Sequence, residues 1–168
     1  MSSVAAIIDA FDLFFTSLRR PEFRKSFTFT TWSEQALLPL VRTFLLGYFG
    51  PKANPEHWTT LPGAVTGWGR FDFMVNNIAV EFAVRRPGCP KGDVMPSKNA
   101  SEVKKLMKYD GRGVLVLFDF SAKPLRRDEL DRYRNLPSLG RGPHFKSPFS
   151  VAYFSMGDGP QRLDIRTG

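Results

Sequence analysis

Gly69-Arg70-Phe71-Asp72-Phe73-Met74-Val75-Asn76-Asn77-Ile78-Ala79-Val80-Glu81-Phe82-Ala83-Val84 is the stretch on which the fold turns. Apolar side chains recur there with a period of two. Phe71, Phe73 and Val75 fall on one face of a first strand, and Ile78, Val80, Phe82 and Val84 on one face of a second. Asn tolerates positive φ, so Asn76-Asn77 reads as a two-residue hairpin turn. That turn sets a register in which Met74 faces Ala79, Phe73 faces Val80, Asp72 faces Glu81, Phe71 faces Phe82 and Arg70 faces Ala83. Directly opposed side chains lie about 5 Å apart at Cβ, and like charges so placed repel. Asp72 and Glu81 therefore need a compensating charge. A hard divalent cation such as Mg2+ or Mn2+ would supply it; so would Arg70 and Arg85, on the same face, as ordinary ion-pair partners.

Outward from this hairpin the chain alternates patterned elements with Pro- and Gly-rich segments at 50–63, 87–97 and 137–148, which read as loops. Toward the N-terminus, Val4, Ile7, Ile8, Phe11, Phe15 and Leu18 form the stripe of an amphipathic helix that breaks at Pro21. A second helix is expected from Thr31 or Ser33, where Thr31-Trp32-Ser33-Glu34 has capping-box spacing. It carries Leu37, Leu38, Val41, Leu45 and Tyr48 as its inner stripe and stops at Gly47 and Gly50. Pro39 lies inside this span and predicts either a later start or a kink. Toward the C-terminus, 97–109 reads as a helix with Val103, Leu106 and Met107 inward. The unbroken apolar run 113–118 reads as a central strand buried on both faces. A charged helix over 124–135 and a last strand over 149–156 complete the chain. The sum is an α/β fold, a mixed central sheet flanked by helices, in one domain over 1–168. Its parts are an N-terminal helical segment at 1–30, a core at 31–121, and a C-terminal helix and strand at 122–168.

The order of these elements over about 30–121, with Gly69-Arg70-Phe71-Asp72-Phe73, the hairpin, Ile78-Ala79-Val80-Glu81-Phe82-Ala83-Val84 and a helix ending Lys104-Lys105-Leu106-Met107-Lys108-Tyr109, resembles the PD-(D/E)XK nuclease superfamily. The resemblance implies a restriction-endonuclease-like fold and metal-dependent hydrolysis of phosphodiester bonds. It makes Asp72 and Glu81 the metal carboxylates, with the backbone carbonyl of Phe82 as a further ligand and Glu34 as the helical acid that joins them. The motif departs from the family at Ala83, which stands where the lysine belongs and can neither orient a water nor carry charge. Arg70, Arg85, Lys98, Lys104 and Lys105 are the candidate replacements. Arg70 and Arg85 would act electrostatically, since an arginine stays protonated. Lys105 also takes the place, four residues before Tyr109, of a glutamine found in some members. The competing expectation, resting on Ala83, is a degenerate nuclease-fold domain that binds nucleic acid or a protein partner without cutting.

Charge points the same way. The 168 residues hold 24 Lys and Arg against 16 Asp and Glu, a net +8, with the whole excess after residue 84. Such a balance favours a polyanionic partner. Arg85, Arg86, Lys91, Lys98, Lys104, Lys105, Lys108 and Arg112 form the run expected to meet phosphates of a nucleic acid, DNA before RNA. A second run from Lys123 to Lys146 is interleaved with acids and reads equally as a solvated helix face. Cys89 is the single cysteine, which excludes an intramolecular disulfide and a Cys-based zinc cluster and suits a reducing, cytoplasmic setting. No membrane span is expected, because Asp9 and Asp12 interrupt the most apolar stretch. The Phe14-Phe15 pair leaves open whether the first helix packs at home or in a homodimer.

Overall fold

A computed structural model describes residues 3–26 and 32–167. Six strands form one mixed sheet whose spatial order is the chain order, β1 (Ala53–Thr60), β2 (Trp68–Val75), β3 (Ile78–Arg85), β4 (Arg112–Asp119), β5 (Phe149–Ser155) and β6 (Gln161–Ile165). The three central strands β3, β4 and β5 run parallel, and antiparallel partners β2 and β6 flank them. Parallel neighbours need crossovers. Helix α4 (Ala100–Lys108) lies in the first, and the short helix α5 (Arg127–Leu130) followed by a 3-10 turn lies in the second. Both crossovers pack on one face; α1 (Val4–Arg19) and α3 (Glu34–Phe49) cover the other. The short helix α2 (Pro21–Ser26) follows α1.

Burial explains the layers. Strand β4 is buried on both sides, Val114, Val116 and Phe118 toward α1 and Leu115 and Leu117 toward α4, as its unbroken apolar run requires. Phe118 is the hub on the α1 side. Its ring centroid is 4.8 Å from that of Phe15, 4.9 Å from Phe82, 5.4 Å from Phe154 and 6.0 Å from Phe11. Phe14 is buried at home against Phe44 and Phe118. Helix α3 starts with Ser33 as its N-cap, the hydroxyl accepting from the Ala36 amide at 3.2 Å, and runs on through Pro39. Thr31, the other expected start, lies outside the described residues. Gly50 ends the helix at φ +60°, a conformation that favours glycine.

Several expectations are corrected. Segment 53–60 is a strand, not a loop. It escaped notice because β1 is a half-exposed sheet edge, where Pro55 is tolerated and apolar alternation is not required. Strand β6 was missed for a similar reason, being an edge of five residues with only Leu163 and Ile165 buried. The expected charged helix over 124–135 shrinks to Arg127–Leu130 plus the 3-10 turn Asp131–Arg134. The first helix does end before Pro21, and what was not expected is that Pro21 starts α2, at the first helical position where a missing N–H costs nothing. Tyr48 is 49% exposed and leaves the inner stripe of α3. Among the described residues no helix is long and apolar enough to cross a membrane.

Candidate functional site

Where β2 leaves β3, a main-chain pairing is replaced by a side chain. The turn Asn76-Asn77 forms with Asn76 at φ +53°, and Val75 pairs with Ile78, Met74 with Ala79 and Phe73 with Val80, as the register demands. There the ladder stops. The expected pairs of Asp72 with Glu81, Phe71 with Phe82 and Arg70 with Ala83 are not formed. Instead Asp72 Oδ2 accepts the Phe82 amide at 2.9 Å, in the place a carbonyl of β2 would have filled. On the other side of β2 the pairing with β1 skips this point too, and Glu56, the residue opposite Asp72, sits at φ +51°. The distortion breaks the alternation of β2. Phe73 and Val75 enter the α1 core, while Phe71, expected beside them, packs in the α4 core against Tyr109 at 5.4 Å.

The splay lets α4 deliver charge to the two acids. Lys105 Nζ lies 2.5 Å from Glu81 Oε1 and donates to the Arg70 carbonyl at 3.1 Å. The first contact is close but not aligned as a hydrogen bond, so Oε1 is buried with its directional bonding unmet. Asp72 and Glu81 lie close enough that each carboxylate feels the other's charge. Glu34, at the first turn of α3, and Glu102, three residues before Lys105 on α4, complete the field. Burial first, then the Asp72 charge, push the Glu81 carboxyl up to about 9, with Lys105 opposing. Burial also raises Asp72, against the Phe82 N–H and Lys105. Glu34 rises to about 7 through desolvation and the Asp72 and Glu102 charges, although its side chain stays exposed at the rim.

A cleft of about 370 Å³ opens beside these groups, lined by Glu34 and Glu102, by Phe82, Ala83 and Val84 at the end of β3, and by Arg86 and Lys98. The other expected residues go elsewhere. Arg85 is buried on the face of Glu81 but donates to Asp119 Oδ2 at 3.2 Å, the Lys123 carbonyl at 3.0 Å and the Cys89 carbonyl at 3.0 Å. Arg70 points to solvent, 3.8 Å from Glu56 and with its Cζ 5.9 Å from the centre of the Trp58 ring. Lys91 pairs with Glu129 at 2.8 Å, and Lys108 donates to the Gly63 carbonyl at 3.2 Å. Lys104 is exposed on α4, and Arg112 starts β4 opposite Ile78, at the far end of the strands from the cleft.

Whether a metal suits this arrangement turns on its donors. Among the described residues no group of three or more His, Cys, Asp or Glu side chains is placed to hold an ion. Two carboxylates are available, and Mg2+ commonly takes one or two and keeps waters for the rest. Burial raises both Asp72 and Glu81 above their ordinary values, and a cation between them would relieve the repulsion between their charges. The pair therefore fits a hard divalent ion.

Glu102 was missed in the sequence. Its signal was helical spacing, since it shares a face of α4 with Lys105 at i+3 and Tyr109 at i+7. The chain matches no protein-family model, no curated protein and no solved structure.

Proposed function

We propose that this chain is a Mg2+-dependent nuclease of restriction-endonuclease-like architecture, hydrolysing phosphodiester bonds of nucleic acid, DNA before RNA. The observation that carries the reading is the lysine. Ala83 vacates the position next to the second acid, and Lys105 brings an ammonium to Glu81 from the neighbouring helix. A carboxylate pair with an adjacent cation has the charge balance that phosphoryl transfer needs. Asp72 and Glu81 would hold the ion, with the Phe82 carbonyl as a further donor and Glu34 assisting from the rim. The ion, when bound, would lower the pKa of a coordinated water and neutralise charge on the phosphate. Lys105 would stabilise the negative charge that develops on the phosphate oxygens. Arg86 and Lys98 on the cleft wall would hold the flanking backbone.

The test is cleavage of labelled single- and double-stranded DNA and RNA with Mg2+ or Mn2+, comparing wild type with Asp72→Asn and Glu81→Gln. These replacements preserve shape and remove charge. Metal-dependent cutting lost in both variants supports the enzyme; cutting that survives in both, or none in wild type, overturns it. A second reading, binding without cutting, is favoured by the Lys105 ammonium, which already sets a positive charge against Glu81. It predicts nucleic-acid affinity that Mg2+ leaves unchanged.

A further inference from the structure

The outer face of the β1–β2 hairpin exposes two large aromatic rings. Trp58 is 62% exposed and Trp68 55%, while Trp32, the third tryptophan, is 5% exposed in the core. Trp58 lies opposite Arg70 and Thr60 opposite Trp68, so the two rings are diagonal neighbours on one face, about 7–8 Å apart at the backbone. The other face is used up, with Phe71 buried and Gly69 close against Leu61.

The platform is held stiffly. The loop above it closes on itself through Leu61 N–H to the Gly67 carbonyl at 2.9 Å, Ala64 N–H to Leu61 at 3.0 Å and Gly67 N–H to Ala64 at 3.0 Å. A backbone held in this way presents the rings without a large ordering cost for the main chain. Arg70 links the platform to the acids, its guanidinium near the Trp58 ring and its carbonyl bonded to Lys105.

We propose that this face is a stacking platform for unpaired bases of a single-stranded nucleic acid, with Trp58 and Trp68 as the stacking rings and Arg70 as the cation between them. This deepens the nuclease reading and rests on it for the choice of nucleic acid as partner. Aromatic rings beside a cation are the chemistry that grips single strands, because every base has a π-face and every linkage a charge. A second copy of this chain is disfavoured as occupant. Pro55 has no N–H to offer a partner strand, Glu56 at φ +51° interrupts the edge, and copies carrying +8 repel one another.

The experiment follows tryptophan fluorescence in EDTA, where nothing is cut, while 20-mer oligo-dT, 20-mer oligo-rU and a 20-base-pair duplex are titrated in. Both oligomers, or one of them, should quench strongly and the duplex weakly; which oligomer quenches identifies the sugar. Trp58→Ala and Trp68→Ala should each weaken single-strand binding about tenfold, and Trp58→Phe, which keeps a ring, by no more than about threefold. Both positions are exposed, and circular dichroism checks that the variants fold. Unchanged single-strand affinity in the alanine variants overturns the proposal. So does sedimentation showing a dimer that Trp58→Ala dissolves, which would assign the face to a second copy. Binding that depends on the tryptophans without any Mg2+-dependent cleavage leaves the platform and removes the nuclease; cleavage with tryptophan-independent binding does the reverse.

Discussion

Glu81 and Arg85 stand four residues apart on the same face of the same strand, and their surroundings are opposite. Around Arg85 every requirement is met. The guanidinium bonds Asp119 and two carbonyls, Asp119 accepts from the Tyr153 hydroxyl at 2.6 Å and from the Ser121 amide at 2.9 Å, and the Leu125 amide donates to Tyr153 at 2.7 Å. Around Glu81 the requirements conflict, with a second acid close by, one lysine near them, and a buried oxygen lacking a directed partner. A satisfied buried network rigidifies, whereas an unsatisfied one is costly and calls for a compensating role. One strand thus carries a satisfied ion cluster and an unsatisfied one, told apart by their bonding and not by residue type.

The sharpest way to break this contrast is to exchange the expected losses. Glu81→Gln should cut cleavage by at least roughly 1,000-fold, comparable to losing a transition-state donor, while leaving the melting temperature unchanged or higher because a repulsion is relieved. Asp119→Ala should behave in the opposite sense. It strands Arg85 as a buried unpaired charge, at a cost of about 3–5 kcal/mol in urea unfolding. Should Asp119→Ala spare stability, the two clusters are not different in kind. Next in size, Lys105→Ala should lower cleavage by roughly 100-fold, with Lys104→Ala, on the outer side of the same helix, as the control. A larger effect at Lys104 would place the working cation elsewhere.

The contrast also shows in pH. Glu81 is raised from its ordinary value of 4.5 to about 9, so between these limits the folded chain keeps a proton that the unfolded chain has lost. Its contribution to stability is complete below about 4.5 and is lost as pH rises toward 9. Glu34, raised to about 7, adds in the same direction, but water screens its exposed carboxyl. Metal-free protein should therefore grow less stable from pH 5 to 9, and Glu81→Gln should flatten that slope. Adding Mg2+ at pH 8 should restore part of the loss in wild type alone.

The hairpin, the central strand and the first helix were legible because each repeats one period over many residues. The edge strands were not, since an edge buries half of itself and tolerates Pro55. At the candidate site, the acids and their proximity follow from turn chemistry and register. What register could not give is the splay, because it depends on Asp72 displacing a main-chain acceptor and on Glu56 adopting positive φ. Lys105 was one of several candidates until α4 was seen to cross over β3. Asp119 lies far from Arg85 in sequence, and only the parallel pairing of β3 with β4 brings them opposite.

Asp72 stitches the sheet with an oxygen of the same carboxylate that would hold a cation. Under the proposed nuclease reading, this gives the chain a one-step exit from chemistry. Asn in that place still offers a carbonyl oxygen to the Phe82 amide, so the strands stay joined while the negative charge is gone. Any apolar residue there loses the seam and the charge together. A descendant relieved of the need to cut would thus tolerate Asn at position 72 before Ala or Val, and its sequence would carry that trace of a fold kept after its reaction was given up.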